Sequence, residues 1–290
     1  MELQHYAIFC NPLSGKGAAL KALSGFEEFL HTRNISYQVF KENLPQTLAE
    51  YTCMVIMGGD GSINYLLNHY RNIQIPIAFI RCGTGNDYPT LHLGKASLHQ
   101  QFEIATQDKS IWVDAGTCNG QIFINGVGIG FDGWVVKKNL GKRFFSGQLA
   151  YLSTILSLLF FYKESKYSME IDGKELTHEV FMLSIAKGKT YGGGFRVAPF
   201  AEPSNGLFDF IGIKEISVLK RMRYLPVIEK GKHLQLPFVF SQRAKSIRIK
   251  ASHPLQAHLD GEHMESDTFE IQILPNAYRV KSVMEVVNLK

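Results

Sequence analysis

Residues Val55–Asn68, VIMGGDGSINYLLN, decide how the chain is organised. An apolar run enters Gly58-Gly59-Asp60-Gly61, and an apolar-periodic segment with Ile63, Leu66 and Leu67 leaves it. That is the pattern of a buried strand turning into a helix. In an open α/β sheet, ligands bind at the carboxyl ends of strands. Glycines let the backbone approach a phosphate and accept positive φ, and a helix N-terminus offers free N–H groups and a positive dipole end. A carboxylate there repels a bare phosphate. Asp60 makes sense if a divalent cation lies between, if it hydrogen-bonds a ribose or the turn itself, or if Asp60 or Ser62 caps the helix.

Working outward, His5–Cys10, SYQVFK, CMVIM and IPIAFI read as strands. Between them, residues 18–31, 46–50 and 62–70 read as helices. Strand–helix alternation predicts an α/β domain with a largely parallel sheet over residues 1–114, to which 275–290 returns. From residue 115 to 274 short strands and turn signals dominate. KYSMEIDGKELTHEVFMLSIAKG carries Asp-Gly between alternating segments, a hairpin signal. This region is read as mostly antiparallel β structure, interrupted by helices near 147–162 and 217–231.

Two more glycine-bearing loops follow predicted strands. FIRCGTGNDYP places Thr84, Asn86 and Asp87 at one strand end, and NPLSGKG places Ser14, Gly15 and Lys16 at another. In one parallel sheet all three loops face the same crevice. The G-x-x-x-x-G-K-[ST] phosphate loop is absent, since Gly17 follows Lys16. G-x-G-x-x-G occurs at Gly128, Gly130 and Gly133, but without a βαβ unit it predicts close backbone packing, not a dinucleotide site.

The 290 residues are 45% hydrophobic and 20% charged, as in an ordinary globular protein, with a net charge of +5. Cys10, Cys53, Cys82 and Cys118 form no C-x-x-C pair, so a reduced, cytoplasmic compartment is expected. The opening MELQHYAIFC has no basic leader region, so no signal peptide is expected. Leu149–Tyr162 is the longest apolar run, and at about 14 residues it is too short to span a bilayer.

NPLSG, GGDGSIN and GTGND, in this order and spacing, resemble the diacylglycerol kinase catalytic domain superfamily, which includes bacterial lipid kinases and sphingosine kinases. VDAG at Val113–Gly116, FINGVGIGFD at Phe123–Asp132 and DGE at Asp260–Glu262 extend the likeness over nearly the whole chain. The resemblance implies an α/β domain and a C-terminal β-sandwich with ATP bound between them. Asn11, Ser14 and Gly15 would line the phosphate site. Gly58, Gly59, Asp60, Gly61, Ser62 and Asn64 would bind the nucleotide. Thr84 and Asn86 would complete the contacts, Asp87 would join the polar network, and Asp114 matches an acidic position near metal-bound phosphates. ATP and Mg²⁺ are the implied cofactors, and Asp60 would serve the ATP–Mg²⁺ site.

LQAHLDGEHM alternates, and as one strand it places Gln256, His258, Asp260 and Glu262 on one polar face. By pattern alone that face reads as solvated. The resemblance instead puts the general base in this motif: Glu262 first, with Asp260 supporting it or coordinating Mg²⁺. His253, His258 and His263, five apart, do not share a face and read as surface histidines. Relatives carry Asp-Gly-x-Leu at a structural Mg²⁺ site. AEPSNGLFDF has Asn205 where that Asp is expected, which weakens a metal site at Glu202, Asn205 and Leu207.

The expected reaction is transfer of the γ-phosphate of ATP to a lipid hydroxyl, diacylglycerol by default. The alternatives are an NAD kinase-like enzyme on a soluble nucleotide, against which GTGND argues, and an inactive nucleotide-binding sensor. The expected partner is a lipid at an anionic membrane surface, with the protein peripheral to the inner face. A homodimer stays open and no nucleic-acid partner is expected. WVVKKNLGKRFF, Trp134–Phe145, carries Lys137, Lys138, Lys142 and Arg143 among aromatic rings and reads as either a membrane contact or a solvated basic face.

Overall fold

The computed structural model describes residues 4–140 and 148–284. Contacts divide the chain into two compact units, Met1–Ala115 with Pro275–Lys290, and Gly116–Leu274.

The first unit runs β1 (His5–Cys10), α1 (Ala18–Thr32), β2 (Ser36–Phe40), β3 (Cys53–Gly58), α2 (Asp60–Tyr70), β4 (Ile77–Arg81), α3 (Asp87–Leu93) and α4 (Leu98–Thr106), before β5 (Ile111–Cys118) leads onward. The first four strands pair in parallel in the order β4-β3-β1-β2. All six residues of β3 are buried, which is why it reads as an unbroken apolar run. On α1, Ala19, Ala22, Leu23, Phe26, Phe29 and Leu30 are buried at three- and four-residue spacing, the stripe that packs against the sheet. The returning tail places Val280 in parallel register with Ile77 of β4.

Two local expectations fail. Residues 46–50 form no helix; a turn closes there, with Tyr51 N–H donating to Leu48 O at 3.1 Å. The helices α3 and α4 lie where none is expected from the sequence. Ser97 and Gln100 cap the latter reciprocally, side chain to backbone N–H in both directions.

The second unit continues with β6 (Gln121–Phe123), β7 (Gly126–Gly130), α5 (Phe131–Asn139), α6 (Gln148–Phe161), β8 (Ser165–Ile171), β9 (Lys174–Ala186), β10 (Phe208–Lys214), α7 (Val218–Glu229), β11 (Val239–Ala244), β12 (Ser246–Leu259) and β13 (Glu262–Val280). The strand β7 pairs antiparallel with β9 and β12, β10 with β9 and β11, and β8 with β9 and β12. Two-residue turns with both φ positive close three hairpins, at Asn119–Gly120, Asp172–Gly173 and Asp260–Gly261. A Cβ on Gly133 would lie 2.2 Å from the Gln256 backbone, so this glycine lets α5 lie directly on β12. Buried Arg221 pairs with Glu164 and donates to Leu159 O, Tyr162 O and Ile216 O, fixing the end of α6 against α7.

Candidate functional site

In the first unit the three glycine loops meet at the strand ends. Asn11 Nδ2 donates to Ser62 Oγ at 3.0 Å, and Asn11 Oδ1 accepts from Leu13 N at 3.1 Å. The chain then turns through Gly15, Lys16 and Gly17, all with positive φ. A Cβ on Gly15 would stand 2.2 Å from Cys82 O, so its glycine is required twice over. Gly59 and Gly83 touch backbone to backbone, and a Cβ on Gly83 would lie 2.4 Å from the Gly59 Cα.

Asp60 joins the second and third loops. Its Oδ2 accepts from Asp87 N and its Oδ1 from Tyr88 N, both at 3.0 Å. These are the first N–H groups of α3, so the carboxylate caps a helix other than its own. Burial pushes the Asp60 carboxyl up from its ordinary value, and backbone N–H groups, Tyr88 and Asp87 foremost, pull it part of the way back. Asn86 stands in the left-handed region and closes the loop on itself, Oδ1 accepting from Gly83 N at 2.9 Å and Nδ2 donating to Gly83 O at 2.6 Å. Thr84, Gly61 and Gly85 are exposed. Beside the Asn11–Ser62 bond lies a cavity of about 230 Å³ with Phe9, Phe40, Leu44, Tyr65 and Leu66 in its walls and Lys41 at its edge.

In the second unit, Asp260 and Glu262 do not share a strand face. Asp260–Gly261 is the turn between β12 and β13, and Glu262 opens the second strand opposite Leu259. The Asp260 carboxylate accepts three backbone N–H groups, from Ile124 at 2.9 Å, Asn125 at 2.9 Å and Gly126 at 2.8 Å. Glu262 is exposed, and its carboxylate makes no hydrogen bond or ion pair among the described residues.

The face expected to be solvated is buried, with Gln256 and His258 each 4% exposed. Nor is His258 a surface histidine. Its Nε2 sits 2.9 Å from Asp132 Oδ2, and its Nδ1 accepts from Gly261 N at 3.2 Å, which puts the ring proton on Nε2. Burial pulls His258 down, but the charge and hydrogen bond of Asp132 with the charge of Asp260 outweigh it and hold it above its ordinary value. A Cβ on Gly128 would lie 2.3 Å from Asp132 Oδ2 and 2.4 Å from His258 Nε2, so that glycine of G-x-G-x-x-G makes room for this pair.

Comparison with known proteins decides what these two units are. The diacylglycerol kinase catalytic domain matches residues 5–118, and the YegS C-terminal NAD kinase beta sandwich-like domain matches residues 125–282. The chain belongs to this lipid kinase family. A diacylglycerol kinase of Mycobacterium tuberculosis (strain CDC 1551 / Oshkosh) is 27% identical over 295 residues, covering 96% of this chain and 95% of its own. One of Bacillus subtilis (strain 168) is 24% identical, covering 88% and 89%. The crystal structure of a diacylglycerol kinase from Bacillus anthracis str. Sterne shares the fold, with a TM-score of 0.74 at 19% identity over 98% of each chain. The protein is a kinase that transfers phosphate to a hydroxyl.

Two expected placements in this kinase need correction. Asp114 is not open to phosphates: it is 1% exposed and its Oδ1 accepts from Asn276 N at 3.0 Å, anchoring the returning tail. The expected metal set is also engaged otherwise. Asn205 Oδ1 and Leu207 O accept from Lys187 Nζ, at 2.9 and 2.8 Å, and Glu202 Oε1 lies 3.3 Å from an Arg243 Nη. Ammonium and guanidinium groups hold these oxygens, so the residues present do not fit a divalent cation. Of the basic segment, Lys142 and Arg143 lie outside the described residues. Lys137 is paired with Glu265 at 3.2 Å and lies over the Trp134 ring.

Proposed function

We propose that the kinase transfers the γ-phosphate of ATP to the hydroxyl of a lipid, with a diacylglycerol-like acceptor. The observation that carries this reading is the seam of Gly59 on Gly83, tied by Asp60. The seam leaves exposed backbone at Gly61, Thr84 and Gly85 beside the start of α2, where N–H groups suit phosphate oxygens. The neighbouring 230 Å³ cavity, with aromatic walls, suits the nucleoside. Mg²⁺ accompanies the triphosphate in this reading. Because both Asp60 oxygens are engaged by backbone N–H groups, phosphate oxygens and water would supply most of its ligands. The acceptor oxygen attacks the γ-phosphorus, the bond to the ADP oxygen breaks, and the hydroxyl proton passes to a carboxylate. Glu262, exposed and uncommitted, is that carboxylate.

A lipid acceptor is supported by features of the second unit that a soluble nucleotide has no use for. An apolar cavity lies among α5, α6, α7 and β9, lined by Phe131, Val135, Leu159, Phe181, Ile216 and Leu225 with Asp132 on its wall. Its volume in this conformation is about 50 Å³, so an acyl chain would enter only as side chains part. Phe160 and Phe161 are 51% and 79% exposed at the end of α6, and Leu219, 80% exposed, lies on the adjoining α7. Among the described residues no helix is long and apolar enough to cross a membrane, so these side chains would dock on a leaflet.

Turnover of ATP with a panel of lipids in mixed micelles, and with NAD as soluble acceptor, tests the reading. Lipid phosphorylation is expected, with Glu262→Gln keeping ATP binding and losing about 10²–10⁴-fold of the rate. Phosphate delivered to NAD and to no lipid would overturn the acceptor. ATP binding without turnover on any acceptor would make the protein a sensor.

A further inference from the structure

Lys187 follows β9 and is fully buried. Its backbone N–H and that of Gly188 both donate to Asn125 O at 2.9 Å, which fixes where the side chain starts. From there Nζ reaches Asn205 Oδ1 at 2.9 Å and Leu207 O at 2.8 Å. Leu207 N also donates to Asn205 Oδ1, at 3.1 Å, so the amide oxygen gathers the whole 205–207 turn around the ammonium. Asp209, two residues on in β10, brings a carboxylate within electrostatic reach of the ammonium. A buried ammonium is retained only where oxygens and a counter-charge receive it, and here both are present.

We propose that the Lys187 ammonium stands in for the structural divalent cation of this fold, so the second unit folds without a metal. Its contacts at Asn205 and Leu207 are made to two of the three oxygen donors that the Asp-Gly-x-Leu resemblance would assign to the metal. Exchanging a divalent cation for a monovalent one, and a carboxylate for an amide at residue 205, leaves the local charge unchanged. Asn205 and Lys187 are therefore one compensated change. The ammonium and a divalent cation also exclude each other, because both need the same oxygens and repel strongly at such separations. Any divalent-metal requirement of the kinase then belongs to the nucleotide and leaves folding untouched. None of this depends on the acceptor or the chemical step.

The test is thermal unfolding of the full chain without nucleotide, with EDTA and with added Mg²⁺ or Ca²⁺. The wild type should unfold at one temperature in all three conditions, and amine-acylating reagents should leave Lys187 unmodified in the folded protein. Lys187→Met should unfold several degrees lower, with no recovery on adding metal. The double variant Lys187→Ala with Asn205→Asp restores the carboxylate and empties the place of the ammonium. It should be unstable in EDTA and recover with Mg²⁺ or Ca²⁺, since a ligand that binds only the folded state raises its stability. A wild type whose midpoint falls in EDTA would overturn the proposal. So would a divalent ion that co-purifies with the wild type and is lost from Asn205→Ala, or a double variant as stable as wild type in EDTA and indifferent to metal.

Discussion

Replacing Asp60 by Asn separates two jobs that a loss of activity alone would confuse. The carboxylate accepts the N–H groups of Asp87 and Tyr88, each at 3.0 Å, and these are first-turn donors of α3. Hydrogen bonds to a charged group contribute about 1.5–3 kcal/mol each. An amide keeps one acceptor oxygen but turns an NH₂ toward the other donor. Asp60→Asn should therefore lose one of the two bonds and destabilise the first unit by about 2 kcal/mol. The Gly83–Asp87 loop would then be held to residue 60 by one bond instead of two, beside its own Asn86 bonds, and the exposed backbone beside Gly61 would lose part of its partner surface.

Urea unfolding of Asp60→Asn, with ATP binding by calorimetry well below the midpoint, reads both effects. The expected result is lowered stability together with weakened ATP binding. Gly83→Ala should reproduce the weakened binding with Asp60 untouched, because its Cβ would be driven to 2.4 Å from the Gly59 Cα. An Asp60→Asn protein as stable as wild type would refute the clamp. Normal ATP binding by Gly83→Ala would refute the joined-loop site.

Two further outcomes follow from the same structure. Replacing Phe160 and Phe161 by Ser should reduce co-sedimentation with anionic vesicles while ATP binding stays intact, and unchanged sedimentation would remove the end of α6 from membrane contact. His92 is fully buried against Phe79 and Tyr88, and burial lowers its pKa from 6.5 to about 3. The unfolded chain therefore takes up the proton first, and stability is lost as pH falls from 6.5 toward 3. Between pH 7 and 5 this one residue should remove about 2 kcal/mol. The difference in unfolding free energy between wild type and His92→Gln should shrink by that amount, and a pH-independent difference would show that His92 titrates normally.

How far the sequence could be read depended on the range of the interaction. Apolar periodicity and glycine turns are local, and they located the strands of the first unit, α1 and α2. The cap of α4 is also local, since Ser97 with Gln100 three residues on is a capping-box spacing. The turn at Asp260–Gly261 carries the same dipeptide as Asp172–Gly173, which was read as a hairpin. Continuing the alternation of LQAHL through it placed Asp260 and Glu262 on one face of one strand, when the chain reverses between them. The bond of His258 to Asp132 spans 126 residues, and Lys187 reaches Asn205 across 18. No periodicity reports such pairs; they exist only once β12 lies on α5 and β9 on β10.

The two aspartates that the motifs single out share a physical role that their spacing conceals. Asp60 receives two backbone N–H groups of a different loop, and Asp260 receives three from Ile124–Gly126. Each carboxylate is a hub that holds a distant stretch of backbone, and each lies beside a glycine because the approach leaves no room for a Cβ or demands positive φ. A carboxylate whose oxygens are taken by backbone donors has few lone pairs left for a cation. The groups free to meet ligands are their exposed neighbours: Thr84 and the backbone at Gly61 and Gly85 in the first unit, and Glu262 in the second. Substitution of either aspartate should therefore weaken folding and function together. Glu262→Gln, which touches no backbone hub, should impair turnover while leaving stability unchanged.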